Sequence, residues 1–181
     1  MTCKNLLITF LLFSIFLSPN VIANEYGDTV DYSKLSATQF KKDADIYFEQ
    51  AFNGVTITEQ NQATTKALGK YYILTKIKPL DSYAYTQMGR LYDMKKDYLR
   101  AKQYFNIAFN ININDPYTNF YFAELNYHQK KYNEALRYYL NARKNNYSDS
   151  VTLNSRLYEL YDKLGDVQKK REYQTKVENL K

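Results

Sequence analysis

Two adjacent stretches of this chain are copies of one another at a spacing of 34 residues. Laying Ser82–Asp115 over Pro116–Asp149 without a gap pairs Gly89 with Ala123, Leu91 with Leu125, Tyr98 with Tyr132, Ala101 with Ala135, Phe105 with Tyr139 and Ala108 with Ala142. A fixed period of this size marks an array of stacked units, each too small to bury its apolar face without a neighbour. A chain built this way grows a core along its length rather than around one centre.

The residues inside one period predict a pair of antiparallel helices. Small side chains at Gly89 and Ala101, and again at Ala123 and Ala135, permit close approach of two helix backbones, while aromatics fill the space between successive pairs. Asp115-Pro116 is a helix start: the carboxylate caps free amides, and proline sits where its missing N–H costs nothing. Asp81 before Ser82 offers the same cap, and Lys95-Lys96-Asp97 and Lys130-Lys131 mark polar turns within the pairs.

The order Tyr85, Met88, Gly89, Tyr92, Ala101 and Phe105 resembles the tetratricopeptide repeat (TPR): a large aromatic, a hydrophobe, a small residue, a tyrosine, then an alanine with an aromatic four residues on. The next unit keeps Phe122, Ala123, Ala135, Tyr139 and Ala142 but has Asn119 and Asn126 where an aromatic is usual. The resemblance covers most of residues 36–181 and is most specific in the two central units. It implies an all-α fold, a right-handed superhelical array of about four antiparallel helix pairs, in units 36–81, 82–115, 116–149 and 150–181.

The flanking units are less regular. Ala67, Tyr71, Leu74 and Pro79 stand 34 residues before Ala101, Phe105, Ala108 and Ile113, as a second helix requires. Its partner is predicted from about Ser36 to Phe52. Ser36 and Gln39 have capping-box spacing, and Phe40, Ala44, Tyr47 and Ala51 form a helical stripe. Asn53-Gly54 then opens a loop expected to reach Asn61. Downstream, Leu157, Tyr161, Leu164 and Gly165-Asp166 restore the register after a slip of one residue. Val167–Leu180 is a polar last helix, the end cap that a stacked array needs.

Residues 1–23 have another character. Lys4 precedes an apolar run from Leu6 to Leu17, broken by Ser18-Pro19-Asn20 and followed by Val21-Ile22-Ala23, the layout of a cleavable secretory signal peptide. The run is shorter than the ~20 residues of a membrane-spanning helix. Cleavage after Ala23 removes Cys3, the one cysteine, so no disulfide supports the mature fold; residues 24–35 read as a flexible tether. Periplasm or cell envelope follows for a bacterial source, and secretion otherwise.

Composition narrows the function. The net charge is +6, but its lysines are scattered in pairs such as Lys41-Lys42 and Lys169-Lys170, a solvated surface rather than a nucleic-acid footprint. The only histidine is His128, and no phosphate loop, HExxH element or nucleophile elbow is present. No metal, cofactor or catalytic residue is assigned, and the expectation is a protein that is not an enzyme.

Binding remains. The resemblance implies that the first helix of each pair lines a concave groove. In the second unit that places Tyr83, Thr86, Gln87, Arg90, Asp93 and Met94 on it; in the third Tyr117, Phe120, Tyr121, Glu124, Tyr127 and His128. The fourth adds Thr152, Ser155, Arg156, Glu159, Asp162 and Lys163. Tyrosines there are amphipathic anchors, and Arg90 and Arg156 are of a type that holds peptide carboxylates. The clamp by which some relatives grip chaperone tails is not reproduced: Thr86, Arg90, Tyr121 and Thr152 occupy most of its positions and only Arg156 fits. The reading is an exported interaction module, an adaptor or assembly factor binding a peptide or protein segment. A self-associating structural subunit of an envelope assembly is the alternative, and an envelope hydrolase a third.

Overall fold

The computed structural model describes residues 21–23 and 29–180. Most of the segment read as a signal peptide therefore lies outside the described residues. Val21–Ala23 (β1) pairs antiparallel with Thr29–Asp31 (β2), and Tyr32–Lys34 forms a single 3-10 turn within the stretch read as a tether. Eight helices follow: α1 (Ala37–Asn53), α2 (Ile57–Ile77), α3 (Ser82–Met94), α4 (Tyr98–Ile111), α5 (Pro116–His128), α6 (Tyr132–Lys144), α7 (Ser150–Leu164) and α8 (Val167–Glu178).

Local chemistry sets most of these boundaries. Asp81, Asp97, Asp115, Asp149 and Asp166 each accept a backbone N–H from the first turn of the helix that follows, filling one of its otherwise free amides. Only half of the box foreseen at the start of α1 forms. Ser36 accepts from the Gln39 amide at 3.3 Å, but the Gln39 side chain turns forward to Asp43 at 2.6 Å.

The loop expected from Asn53 to Asn61 is a correction. It spans only Gly54–Thr56, because Thr56 and Glu59 close a complete capping box. The Thr56 hydroxyl accepts from the Glu59 amide at 3.2 Å, while the Glu59 carboxylate accepts from the amides of Val55 and Thr56, both at 3.1 Å.

The helices pack as four antiparallel hairpins, α1/α2, α3/α4, α5/α6 and α7/α8, and each hairpin rests on the next. Beyond these neighbours, α1 also touches α3 and α3 touches α5, whereas no second helix packs comparably on another. The first helices of the first three hairpins thus form the crowded inner row of an all-α helical-repeat solenoid. Hairpin closure rests on small residues: Ala101, Ala123 and Ala135 are fully buried. A Cβ at Gly89 would lie 2.9 Å from the Phe105 ring.

Between hairpins the core is aromatic. Phe105 of α4 stacks on Phe122 of α5 at 5.5 Å, and Phe122 on Tyr138 of α6 at 4.4 Å. Asn119, in a usual aromatic position, is fully buried and donates to the carbonyls of Ile113 and Asp115, both at 2.8 Å. It secures the inter-hairpin turn by hydrogen bonds instead of ring packing. The turns inside the hairpins recur too: Lys96, Lys130 and Gly165 sit in the left-handed region, with φ of 60°, 59° and 75°.

Candidate functional site

Successive turns of α3 send Tyr83, Gln87 and Arg90 toward α1 and α5, and their side chains form one relay. The Tyr83 hydroxyl donates to Asp45 Oδ1 of α1 at 2.7 Å, and Gln87 Nε2 donates to the Tyr83 oxygen at 3.0 Å. Arg90 then donates to Gln87 Oε1 at 2.8 Å. Asp45 anchors the relay: it also accepts from Tyr71 at 2.7 Å and pairs with Lys41 at 2.7 Å. Burial acts to raise its carboxyl, but these donors together outweigh burial and hold it below the usual carboxylate range.

Two aromatic rings stand close to the Arg90 guanidinium. Its central carbon is 3.8 Å from the Tyr121 ring centroid and 4.4 Å from that of Phe48. Burial pushes the group below its ordinary value, and no carboxylate pairs with it among the described residues. Beside it opens a pocket of about 360 Å³ lined by Tyr83, Thr86, Gln87, Arg90, Asp115, Tyr117 and Tyr121. Thr86 and Asp115 of its lining are linked through buried Thr118: Thr86 bonds Thr118 at 2.7 Å, and Thr118 donates to Asp115 at 2.8 Å. Six of the predicted groove residues, Tyr83, Thr86, Gln87, Arg90, Tyr117 and Tyr121, therefore line one cavity.

Other predicted residues pair outside this cavity. Glu124, Tyr127, Arg156 and Glu159 meet, but as a closed cluster. Arg156 Nη1 donates to Glu159 at 3.0 Å. Its Nε lies 2.9 Å from Glu124 without hydrogen-bond geometry, a purely electrostatic contact. The Tyr139 hydroxyl also donates to Glu124, and the Arg156 guanidinium lies 5.9 Å from the Tyr127 ring centroid. Arg156 is thus occupied by two carboxylates of its own chain. His128 Nδ1 is 3.0 Å from Asp93 Oδ2, tying α5 to α3.

Phe120 departs from the groove reading. It is 4% exposed and stacks on Tyr147 with centroids 4.3 Å apart, so it belongs to the core between the third and fourth hairpins. Phe48, conversely, completes the Arg90 clamp and was not foreseen. The stripe that picked out Tyr47 also has a member one residue on, at i+4 from Ala44, and that position is the buried one.

Another hollow, of about 410 Å³, lies at the α1–α2 turn between Glu49, Asn53, Glu59 and Lys66 and contains no aromatic ring. Among the described residues no group of three or more His, Cys, Asp or Glu is placed to hold a metal ion. No described helix is long and apolar enough to cross a membrane.

No protein-family model matches the sequence, and no curated protein is similar to it. Solved structures are similar in fold. A thermophilic TPR protein of Thermus thermophilus is 17% identical with a TM-score of 0.61, over 69% of this chain and 63% of that one. PilF of Pseudomonas aeruginosa is 17% identical with a TM-score of 0.64, over 80% and 61% respectively. The TPR2B domain of yeast Sti1, in a complex with pHsp70, is 16% identical with a TM-score of 0.53, over 77% and 97%. The chain spans about three-fifths of the length of the first two. At these identities the likeness establishes the fold: a TPR-like helical-repeat solenoid.

Proposed function

We propose that this chain is an exported, non-enzymatic interaction module that receives a peptide or protein segment along its row of first helices. It acts there as an adaptor or assembly factor. One observation carries the reading: the α3–α5 pocket gathers three tyrosines around an arginine that the protein holds in place yet leaves without a carboxylate. Tyrosine and arginine are the residue types that dominate binding hot spots. The pocket lies on the inner row, where a bound segment meets several repeats at once. The yeast domain of similar fold occurs in a complex with pHsp70, in keeping with a binding role for such a solenoid.

The test is capture of envelope proteins by the tagged chain, run beside the double variant Tyr121→Ala, Arg90→Glu. Loss of a specific partner with helicity retained supports the reading. Equal capture by both forms overturns it, and self-capture alone moves the weight to a structural subunit. Export is tested by the mass of the protein recovered from the envelope. A chain starting at Asn24 is expected, and recovery of intact chain from the cytosol alone contradicts it.

A further inference from the structure

Charges that are scattered along the sequence are sorted by the fold. The four first helices, α1, α3, α5 and α7, together carry seven acidic and five basic residues. The four second helices, α2, α4, α6 and α8, carry twelve basic and four acidic residues. Each of these four has two more basic than acidic side chains, so the excess is spread evenly along the row. The positive charge of the helices therefore lies on the outer row, and the inner row is slightly acidic.

Lys70, Arg100, Lys169, Lys170 and Lys176 of the outer row pair with carboxylates. The other seven cations have no carboxylate partner among the described residues. Aliphatic side chains stand exposed among them: Ile57 on α2, Leu99 and Ile107 on α4, and Val167 on α8. Between α4 and α6 lies a hollow of about 400 Å³ walled by Phe109, Ile113, Tyr138 and Leu140. Arg137 and Lys144, seven residues apart on one face of α6, also line it, and no acidic residue does. Phe109 meets Tyr138 edge to face at 5.6 Å, and the Arg137 guanidinium lies 4.6 Å from the Tyr138 ring centroid.

We propose that the outer row is a docking face for an anionic lipid bilayer, with the α4–α6 hollow at its centre. Each Lys or Arg near an anionic headgroup layer adds a small attraction, and aliphatic side chains between the cations enter the boundary of the acyl region. At the hollow, Arg137 and Lys144 meet a lipid phosphate while Phe109 and Leu140 take the apolar part beside it. A nucleic-acid backbone would also answer the cations, but it offers the four exposed aliphatic side chains no apolar surface. The docking is peripheral, since no described helix is long and apolar enough to cross a membrane. It uses the second helices and leaves the groove on the first helices free, so it stands or falls apart from the groove reading.

The experiment mixes the full chain with vesicles of neutral phosphatidylcholine, either alone or with about 30% anionic phosphatidylglycerol, and reads the bound fraction by flotation. The apolar run Leu6–Leu17 would add to binding on both kinds of vesicle, so the ratio between them is the readout. Binding is expected to be at least about tenfold stronger to the anionic vesicles at low salt, and the ratio to shrink as salt rises. Lys102→Gln, Arg137→Gln and Lys144→Gln together change three exposed cations that have no carboxylate partner among the described residues, and are expected to remove most of the preference. Lys42→Gln, Lys95→Gln and Lys130→Gln remove the same charge from α1 and the hairpin turns, and are expected to leave the ratio within about twofold. Circular dichroism of both triple variants is expected to match that of the unaltered chain. Equal binding to the two kinds of vesicle overturns the proposal. So does an equal loss in the two triple variants, which would leave net charge and not the outer row as the cause. So does tighter binding to double-stranded DNA at matched phosphate concentration, lost in the first triple variant, which would make the row a nucleic-acid surface.

Discussion

Arg90 on α3 holds its guanidinium 3.8 Å from the ring centroid of Tyr121 on α5, bridging the joint between the second and third hairpins. A solenoid has few contacts that skip an element, so this one both shapes the pocket and stiffens the inner row. A double-mutant cycle of Arg90→Met and Tyr121→Leu, followed by urea unfolding, should give a coupling of about 1 kcal/mol, the scale of a partly desolvated cation–ring pair. A coupling near zero would mean that the two residues are adjacent without being energetically joined.

His128 should titrate above its ordinary value of 6.5. The hydrogen bond to Asp93 raises it, burial opposes, and the negative charges of Asp93 and Glu124 outweigh the positive charge of Arg156. A group whose folded pKa is raised stabilises the fold fully below its unfolded pKa and loses that contribution as pH rises through the folded one. The α3–α5 tie is therefore intact in mild acid and weakens toward alkaline pH. Imidazole proton shifts check this, and Asp93→Asn should bring the midpoint down.

Asp45 works in the opposite direction. Its carboxyl is held below the usual range, so its contribution is present above about pH 3.9 and lost as pH falls through the lower folded value. Asp45→Ala strands the hydroxyl of the fully buried Tyr71 and frees Tyr83 from the relay. A cost of about 2 kcal/mol in denaturant unfolding is expected. The variant should also weaken peptide binding, because Arg90 loses its support through Gln87.

How much of this was legible in the sequence depended on whether the determinant was periodic. Hairpins and caps follow from local signals repeated every 34 residues, and the turn after α1 is shorter than Asn53-Gly54 alone suggests because the Thr56-x-x-Glu59 box starts the next helix at once. The groove was legible as a helix face, but a face does not say where its rings point. Phe120 shares a helix with Tyr117 and Tyr121 yet turns into the core, because Tyr147 from the next turn supplies a stacking partner. Arg90 and Arg156 looked alike for the same reason. Their difference lies in Glu124, which arrives from the hairpin before Arg156, and such pairings between hairpins have no local trace.

Gly89→Ala should destabilise although alanine is the better helix former. The propensity gain is about 1 kcal/mol, but a Cβ there meets the fully buried Phe105 ring at 2.9 Å. Overpacking of about 1–3 kcal/mol leaves a net loss of about 1 kcal/mol in urea unfolding. The equivalent position already holds Ala123, which limits the effect to one hairpin.

Glycine should instead help at Lys96. Its φ of 60° carries a left-handed penalty of about 1 kcal/mol, partly offset by the greater chain entropy of glycine when unfolded. Lys96→Gly is expected to gain about 0.5 kcal/mol. Gly165→Ala, at the equivalent turn with φ of 75°, should lose about 1 kcal/mol.

The central claim, that the inner row is the binding face, is tested most directly by site-specific photo-cross-linking in cells. A photoreactive phenylalanine is placed either at Tyr117, on the pocket and 47% exposed, or at Tyr72 of the second helix α2, 46% exposed. The account predicts a discrete adduct from position 117 that disappears when Arg90→Met is added, and none from position 72. An adduct from position 72 alone, or equal adducts from both that ignore Arg90, would contradict it.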